Sequence, residues 1–141
     1  EVVSDQENVP GNKAMVYRSY VENVVWTDDV DGVHQVDGTE PGEWLEYTVD
    51  VARDGKYEIL VRMWALDSSH SVRVEVGGQD VTGPMRVAPG EGGQWASASA
   101  SARLLAGQQA IRIVVLDGHP ALNWIQINEL SEQVHLPLVV R

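Results

Sequence analysis

The chain has 141 residues and a mass of 15.5 kDa, lacks cysteine, and has 10 Lys and Arg against 21 Asp and Glu, a formal net charge of −11. This length predicts one compact domain that can bury a full core without disulfides. The absence of cysteine excludes thiol catalysis and Cys-ligated zinc, and the negative charge disfavours nucleic acids and anionic membrane surfaces as partners.

Apolar and polar residues alternate over most of the chain, a pattern typical of β-strands with one buried face. Turn sequences rich in Gly, Asp and Pro separate the alternating segments, and no helical pattern of ten or more residues occurs. Strands are predicted at residues 46–51, 57–63, 71–76, 110–115 and 122–127, with 16–20 and Val36 as weaker early candidates. We therefore expect an all-β fold, an antiparallel two-sheet β-sandwich.

Two further segments have more than one interpretation. Residues 97–102 alternate Ser and Ala, so they form either a strand that packs closely under a neighbouring sheet or a solvated edge. Residues 134–141 include Pro137, which indicates an edge strand or a linker toward a neighbouring domain. We assign residues 1–130 to the sandwich and 131–141 to a tail or linker. The polar start of the chain lacks signal-peptide features, so any export signal has been removed or precedes this sequence.

No catalytic constellation is evident in the sequence. The four histidines are far apart, and no metal-binding, serine-hydrolase or nucleotide-binding spacing occurs. Glu43 and Glu46 would point to opposite faces of a strand, which disfavours a glycosidase pair. Residues 28–32 (Asp-Asp-Val-Asp-Gly) resemble a calcium loop but lack its remaining ligands, so a solvated acidic loop is the favoured interpretation.

The five tryptophans are more informative. Trp44 and Trp124 lie within alternating apolar runs, so we expect core or half-core positions for both. Trp26, Trp64 and Trp95 lie where loops meet strands. A flat indole can cover the apolar face of a sugar while polar side chains bind its hydroxyl groups, and no ligand charge is needed. The composition therefore favours a neutral polysaccharide as ligand.

Several motifs occur in the order and spacing of a known family. They are residues 42–51, 55–57 and 61–62 in the middle of the chain, and residues 92–95, 106–113 and 122–125 toward its end. Together they resemble carbohydrate-binding module family 6. The resemblance implies a jelly-roll sandwich without catalytic activity, appended to a secreted polysaccharide-degrading enzyme and usually holding a structural calcium ion. It also implies glycan binding either in a loop-end cleft or on the concave face of one sheet.

Only some of the residues that form the family's loop-end cleft have counterparts in this chain. Trp95 matches the second Trp of the family's Gly-Gly-Trp-x-x-Trp stretch, whereas the first Trp falls on Gly92. The family's cleft Tyr falls near His34 and Gln35, where no aromatic residue occurs.

A different set of residues is therefore expected to bind sugar here. Asn123 matches a polar residue of the family's last strand, and Trp64 is expected to replace the lost platform together with Trp95 and His119. The resemblance also implies a calcium ion that joins the first strand to the last. If residues 6–8 match the family's first strand, Glu7 and an oxygen of Asn128 would hold this ion, whereas the competing match to residues 14–17 would lose the Glu. The candidate sugar-binding residues are Trp95, Trp64, Asn123, His34, Gln35 and His119.

The leading hypothesis is a non-catalytic module that targets an attached, secreted glycoside hydrolase to a neutral polysaccharide of xylan, β-glucan or agarose type. We expect a monomer that binds neither nucleic acid nor membrane. The alternative is a structural or protein-interaction sandwich that has lost its glycan site, and a small glycoside hydrolase is a distant third. Convergence of Trp64, Trp95 and Asn123 on one exposed surface would favour the first hypothesis.

Overall fold

A computed structural model describes residues 24–26, 28–29 and 34–130. Its nine strands are β1 (Val24–Trp26), β2 (His34–Val36), β3 (Trp44–Val51), β4 (Gly55–Ala65), β5 (Ser71–Val76), β6 (Gln79–Asp80), β7 (Gln94–Leu104), β8 (Gly107–Asp117) and β9 (Ala121–Glu129). The predicted strand at 16–20 and the predicted tail at 131–141 lie outside the described residues. Within the described part of the chain, no helix has the length and apolar character that crossing a bilayer requires.

The strands form two antiparallel sheets. One sheet has the order β1-β2-β9-β4-β7, and the other has the order β3-β8-β5-β6. This arrangement confirms the predicted all-β sandwich. The five main predicted strands are present, most of them longer than predicted, whereas β1 and β6 were not predicted. Gly107 begins β8, where it pairs with Val51.

The core lies between the sheets because alternate residues of each strand are apolar. In β4, Ile59, Val61 and Met63 are fully buried, and in β8 Ile111 and Ile113 are buried opposite them. Burying each such side chain contributes about 1.5–3 kcal/mol. The residues between these positions face solvent, and this alternation determines which side chains lie on the outer face of each sheet.

Strand β7 combines both interpretations of the Ser-Ala segment. It is the edge strand of the five-stranded sheet. Its Ala96 and Ala98 are buried against the core, whereas Ser97 and Ser99 are exposed on the outer face. The small alanines allow close packing inside, and the serines solvate the edge outside. Trp95, next to the first buried alanine, is therefore the large side chain at the start of an otherwise low-bulk strand.

Candidate functional site

Four of the predicted site residues lie on four adjacent strands of the five-stranded sheet. They are Gln35 on β2, Asn123 on β9, Trp64 on β4 and Trp95 on β7. Each is next in sequence to a member of one buried row that crosses these strands, formed by Val36, Leu122, Met63 and Ala96. Because neighbouring residues of a regular strand face opposite sides, Gln35, Trp64 and Trp95 lie on the outer face. Asn123 lies at a register irregularity, and its hydrogen bond to Asp29, which also binds the outward-facing Arg62, places it on the same face.

Trp64 and Trp95 are direct cross-strand neighbours. They pair in register between β4 and β7, and their neighbours Met63 and Ala96 are buried, so both indoles lie on the same outer face. The Cβ atoms of such a pair are about 5 Å apart. Trp64 is 36% exposed and Trp95 is half-buried. The two rings thus form an aromatic surface that a ligand can reach from solvent; we call Trp64 and Trp95 the tryptophan pair.

Two consecutive carboxylates connect the strands around this pair. Asp28 Oδ1 accepts a hydrogen bond from Trp95 Nε1 at 2.8 Å. Both oxygens of Asp29 accept from the Arg62 guanidinium at 2.8 Å, and Asp29 Oδ2 also accepts from Asn123 Nδ2 at 2.8 Å. These contacts join β7, β4 and β9 through one short segment, so the positions of Trp95, Arg62 and Asn123 are linked.

The acidic segment differs from the solvated loop expected from the sequence. Asp28 is exposed as expected, but the Asp29 side chain is only 2% exposed and Arg62 is 19% exposed. Both carboxylates bind protein donors. A buried carboxylate needs such a partner because its desolvation is unfavourable. The sequence did not predict this pair because Asp29 and Arg62 are 33 residues apart. The one local signal was the charge of Arg62 within an otherwise apolar part of β4, which indicates that it needs a partner.

Asn123 is linked to the tryptophan pair through Asp29 and the adjacent Asp28, and one of its amide hydrogens is engaged there. Its Nδ2 donates to the buried carboxylate of Asp29, and the register irregularity between β4 and β9 occurs beside it, between Arg62 and Met63. Gln35 is half-buried on the adjacent β2. His34 begins β2 and pairs with Trp26 through its backbone.

His119 lies in the loop between β8 and β9, two residues before Ala121, the register partner of Trp64. Its Nδ1 lies 2.7 Å from the Thr39 carbonyl oxygen, so the tautomer that donates from Nδ1 fits this contact. Its backbone N–H donates to Nδ1 of His70 at 3.0 Å. The exposed ring of His119 is thus fixed by neighbouring loops at the same end of the sheet as Trp64.

Gly92 occupies the position where the resemblance places an aromatic residue. A Cβ atom there would lie 2.3 Å from the Leu66 carbonyl oxygen and 2.6 Å from Asp67 Cα. The adjacent Gly93 donates its N–H to the Ala65 carbonyl at 2.7 Å. The backbone after β4 therefore fills the space of a side chain at position 92, and Trp64 lies at the end of that same strand.

The turn after β4 also brings a second carboxylate to this end of the sheet. Asp67 is exposed, and its Oδ1 accepts hydrogen bonds from the Ser69 hydroxyl and from the Ser69 backbone N–H. These bonds hold the pKa of Asp67 below its ordinary value, the hydroxyl being the larger cause. Asp67 is therefore ionised at neutral pH.

The other sheet presents a different aromatic surface. The Arg112 guanidinium lies 4.1 Å from the centroid of the Trp44 ring and donates to Glu46 at 2.6 Å. This cation–π contact covers one face of the indole. Trp44 is half-buried, as is Trp124 on β9 of the five-stranded sheet, and both match the expected core or half-core positions. Trp64, at the loop end of the five-stranded sheet, is thus more accessible to a ligand than Trp44.

The described residues do not test the predicted calcium site. Glu7 lies outside them, and Asn128 Oδ1 accepts from Gln126 while its Nδ2 donates to Glu58. No group of three His, Asp or Glu residues in the described part of the chain could hold a metal ion. The calcium site therefore rests on the resemblance.

The family model "Carbohydrate binding module (family 6)" matches residues 14–131. The chain belongs to this family. Family 6 modules bind carbohydrate without catalysis, so the prediction that the chain is not an enzyme is confirmed. A comparison with curated proteins finds no match.

Solved structures of carbohydrate-binding modules share the fold. A module from Cellvibrio mixtus lichenase 5A, in complex with cellotriose, is 28% identical, with a TM-score of 0.70 over 84% of this chain and 95% of that one. A β-1,3-glucan-binding family 6 module from Bacillus halodurans is 20% identical, with a TM-score of 0.65 over 82% and 92%. The GH26-CBM35 β-(1,4)-mannanase of Podospora anserina is 18% identical, with a TM-score of 0.63 over 84% of this chain and 27% of that one.

Proposed function

We propose that this family 6 module binds a neutral polysaccharide of xylan, β-glucan or agarose type through Trp64 and Trp95, and targets an attached secreted glycoside hydrolase to it. The observation that supports this proposal most is the in-register tryptophan pair with Trp64 exposed on the outer face. The Cellvibrio module binds cellotriose and the Bacillus module binds β-1,3-glucan, which are uncharged glycans. The Podospora mannanase combines a related module with a catalytic domain in one chain.

The binding mode follows from the chemistry of the two partners. The apolar C–H face of a pyranose packs on an indole, and the hydroxyl groups at the rim of the sugar bind polar side chains beside the ring. Asp28, His119 and Gln35 supply such groups. An open surface of this kind gives modest monovalent affinity, and attachment to an enzyme supplies the effective concentration that makes it useful.

Affinity electrophoresis against a panel of neutral polysaccharides tests this proposal. Trp64→Ala and Trp95→Ala should each weaken retardation by the best glycan at least about tenfold, because each removes half of the tryptophan pair. Trp44→Ala, on the other sheet, is the matched control and should bind like the parent. If Trp44→Ala abolishes binding and the other two variants do not, the ligand occupies the four-stranded sheet and the proposal is wrong.

The alternative is a structural or protein-interaction sandwich without a glycan site. The closed backbone at Gly92 and the absence of an aromatic side chain at His34 and Gln35 favour it, since the first Trp of the family's stretch and its cleft Tyr are both missing. It predicts no retardation by any polysaccharide in the panel. Retardation of the protein by even one polysaccharide, lost in Trp64→Ala, would favour the glycan-binding module over this alternative.

The remaining features follow the resemblance. We propose that the module is secreted, acts as a monomer, and holds a structural calcium ion through Glu7 and Asn128. Calcium takes six to eight oxygen ligands, so an ion joining the first and last strands would stabilise the sandwich. This ion would have no part in sugar stacking.

A further inference from the structure

The carboxylate of Asp28 has an unused hydrogen-bonding oxygen beside an indole ring. Its Oδ1 accepts from Trp95 Nε1 at 2.8 Å, so the carboxylate lies at the edge of the ring. Its Oδ2 has no protein partner among the described residues, and the side chain is exposed. A sugar stacked on the face of Trp95 projects its hydroxyl groups past that edge, where Oδ2 can accept a hydrogen bond.

No cation in the described part of the chain forms an ion pair with Asp28. Arg62, the nearby cation, is bound by both oxygens of Asp29, and that pair is neutral as a unit. Asp67, in the turn against Gly92, adds a second exposed carboxylate at this end of the sheet. Counting the residues that the structure describes, the rim of the tryptophan pair therefore has a net negative charge, within a chain whose net charge is −11.

We propose that Asp28 is a specificity-determining residue: it accepts a hydroxyl group of the sugar on Trp95 and rejects saccharides with a carboxylate or sulfate group at that rim. The inference rests on the proposed function, because it needs a sugar on the tryptophan pair. The anchoring of the adjacent Asp29 to Arg62 and Asn123 keeps Asp28 in place, so that the anionic ligand cannot displace the carboxylate without breaking a buried pair.

The experiment compares neutral and anionic derivatives of the same polysaccharide. The probes are hydroxyethyl and carboxymethyl derivatives of equal substitution, prepared from β-1,4-glucan, β-1,3-glucan and xylan. At an ionic strength of about 0.01 M, where charges act over about 30 Å, the protein should bind the hydroxyethyl derivative about tenfold more tightly. Asp28→Asn keeps the shape but removes the charge, and should reduce this ratio at least about threefold.

The control is Asp50→Asn, which makes the same change in net charge at an exposed site on β3 of the other sheet. It should reduce the ratio less than Asp28→Asn does, because its charge lies farther from the tryptophan pair. The salt dependence is measured on the unaltered protein, so the absence of a salt effect contradicts the proposal even if Asp28→Asn is unstable. At about 1 M salt, where charges act over about 3 Å, the ratio should approach one.

The outcomes separate the two proposals. If the hydroxyethyl derivatives bind and Asp28→Asn leaves the ratio as it is, or salt has no effect, the role of Asp28 is wrong and the tryptophan site stands. If Asp28→Asn and Asp50→Asn reduce the ratio equally, discrimination belongs to net charge and the role of Asp28 is again wrong. If no hydroxyethyl derivative binds the unaltered protein, both proposals are wrong.

Discussion

Replacing Arg62 with Met is expected to destabilise the module strongly, because it leaves a buried carboxylate without its cation. The Asp29 side chain is 2% exposed and its two oxygens each lie 2.8 Å from the guanidinium. Removing one partner of a buried pair costs about 3–5 kcal/mol, and Asn123, which still donates to Asp29, favours the lower end. At about 3 °C per kcal/mol for a domain of this size, Tm should fall by about 9 °C.

Thermal unfolding followed by circular dichroism measures this effect, and a double-mutant cycle assigns it to the pair. Asp29→Asn combined with Arg62→Met should recover at least about 1.5 kcal/mol relative to the sum of the single changes. The matched control is Arg53→Met, which breaks a two-bond ion pair with Glu129 at the surface, where the side chains are 73% and 41% exposed. That change should hardly alter Tm, because exposed pairs contribute little.

Arg62→Met should also change the environment of Trp95. Asp28 immediately precedes the anchored Asp29. Loosening Asp29 should therefore release the indole N–H of Trp95 from Asp28 and shift the Trp95 fluorescence. Equal Tm changes for Arg62→Met and Arg53→Met, or single effects that add fully in the double variant, would refute the reasoning. The Asp29–Arg62 pair would then contribute no more to the stability of the module than an exposed ion pair does.

Three further predictions concern the loops and the metal. Gly92→Ala should lower stability by about 1–3 kcal/mol in a denaturant titration, because its Cβ would lie 2.3 Å from the Leu66 carbonyl oxygen; unchanged stability would contradict the close packing. Ser69→Ala should move the pKa of Asp67 up toward 3.8, since the hydroxyl is the main cause of its lowering, and carboxyl NMR titration measures the shift. In the parent, the stabilisation from this carboxylate should be present above pH 3.8 and be lost as the pH falls through the lowered pKa of the folded state. Excess EDTA should lower Tm if the proposed calcium ion is present, and an unchanged Tm would remove that proposal.

The sequence predicted the fold well because alternation is a local property. The runs that became β3, β4, β5 and β8 have apolar residues at every second position, and burial largely follows the same period. In β9 the alternation holds from Trp124 onward and shifts at Asn123. Strands β1 and β6 are only three and two residues long, too short to show a period. Their assignment depends on pairing with distant strands, which the local pattern does not contain.

The candidate site was predictable only in part for the same reason. Trp64 and Trp95 could be singled out because each is a large apolar residue at the end of a strand. Their register, and the contacts of Asp28 and Asp29, join residues 31 to 94 positions apart. Spacing along the chain does not determine such contacts, so a buried ion pair was mistaken for part of a solvated loop.

The closed position at Gly92 and the exposed indole of Trp64 are connected by packing. The backbone of Leu66 fills the space where a side chain at position 92 would start, and Leu66 lies two residues after Trp64. An aromatic residue at position 92 would push this turn outward and move the end of β4 with it. A restored family aromatic would therefore disturb the tryptophan pair rather than add to it, and Gly92→Trp should weaken glycan binding through Trp64 even where the protein still folds.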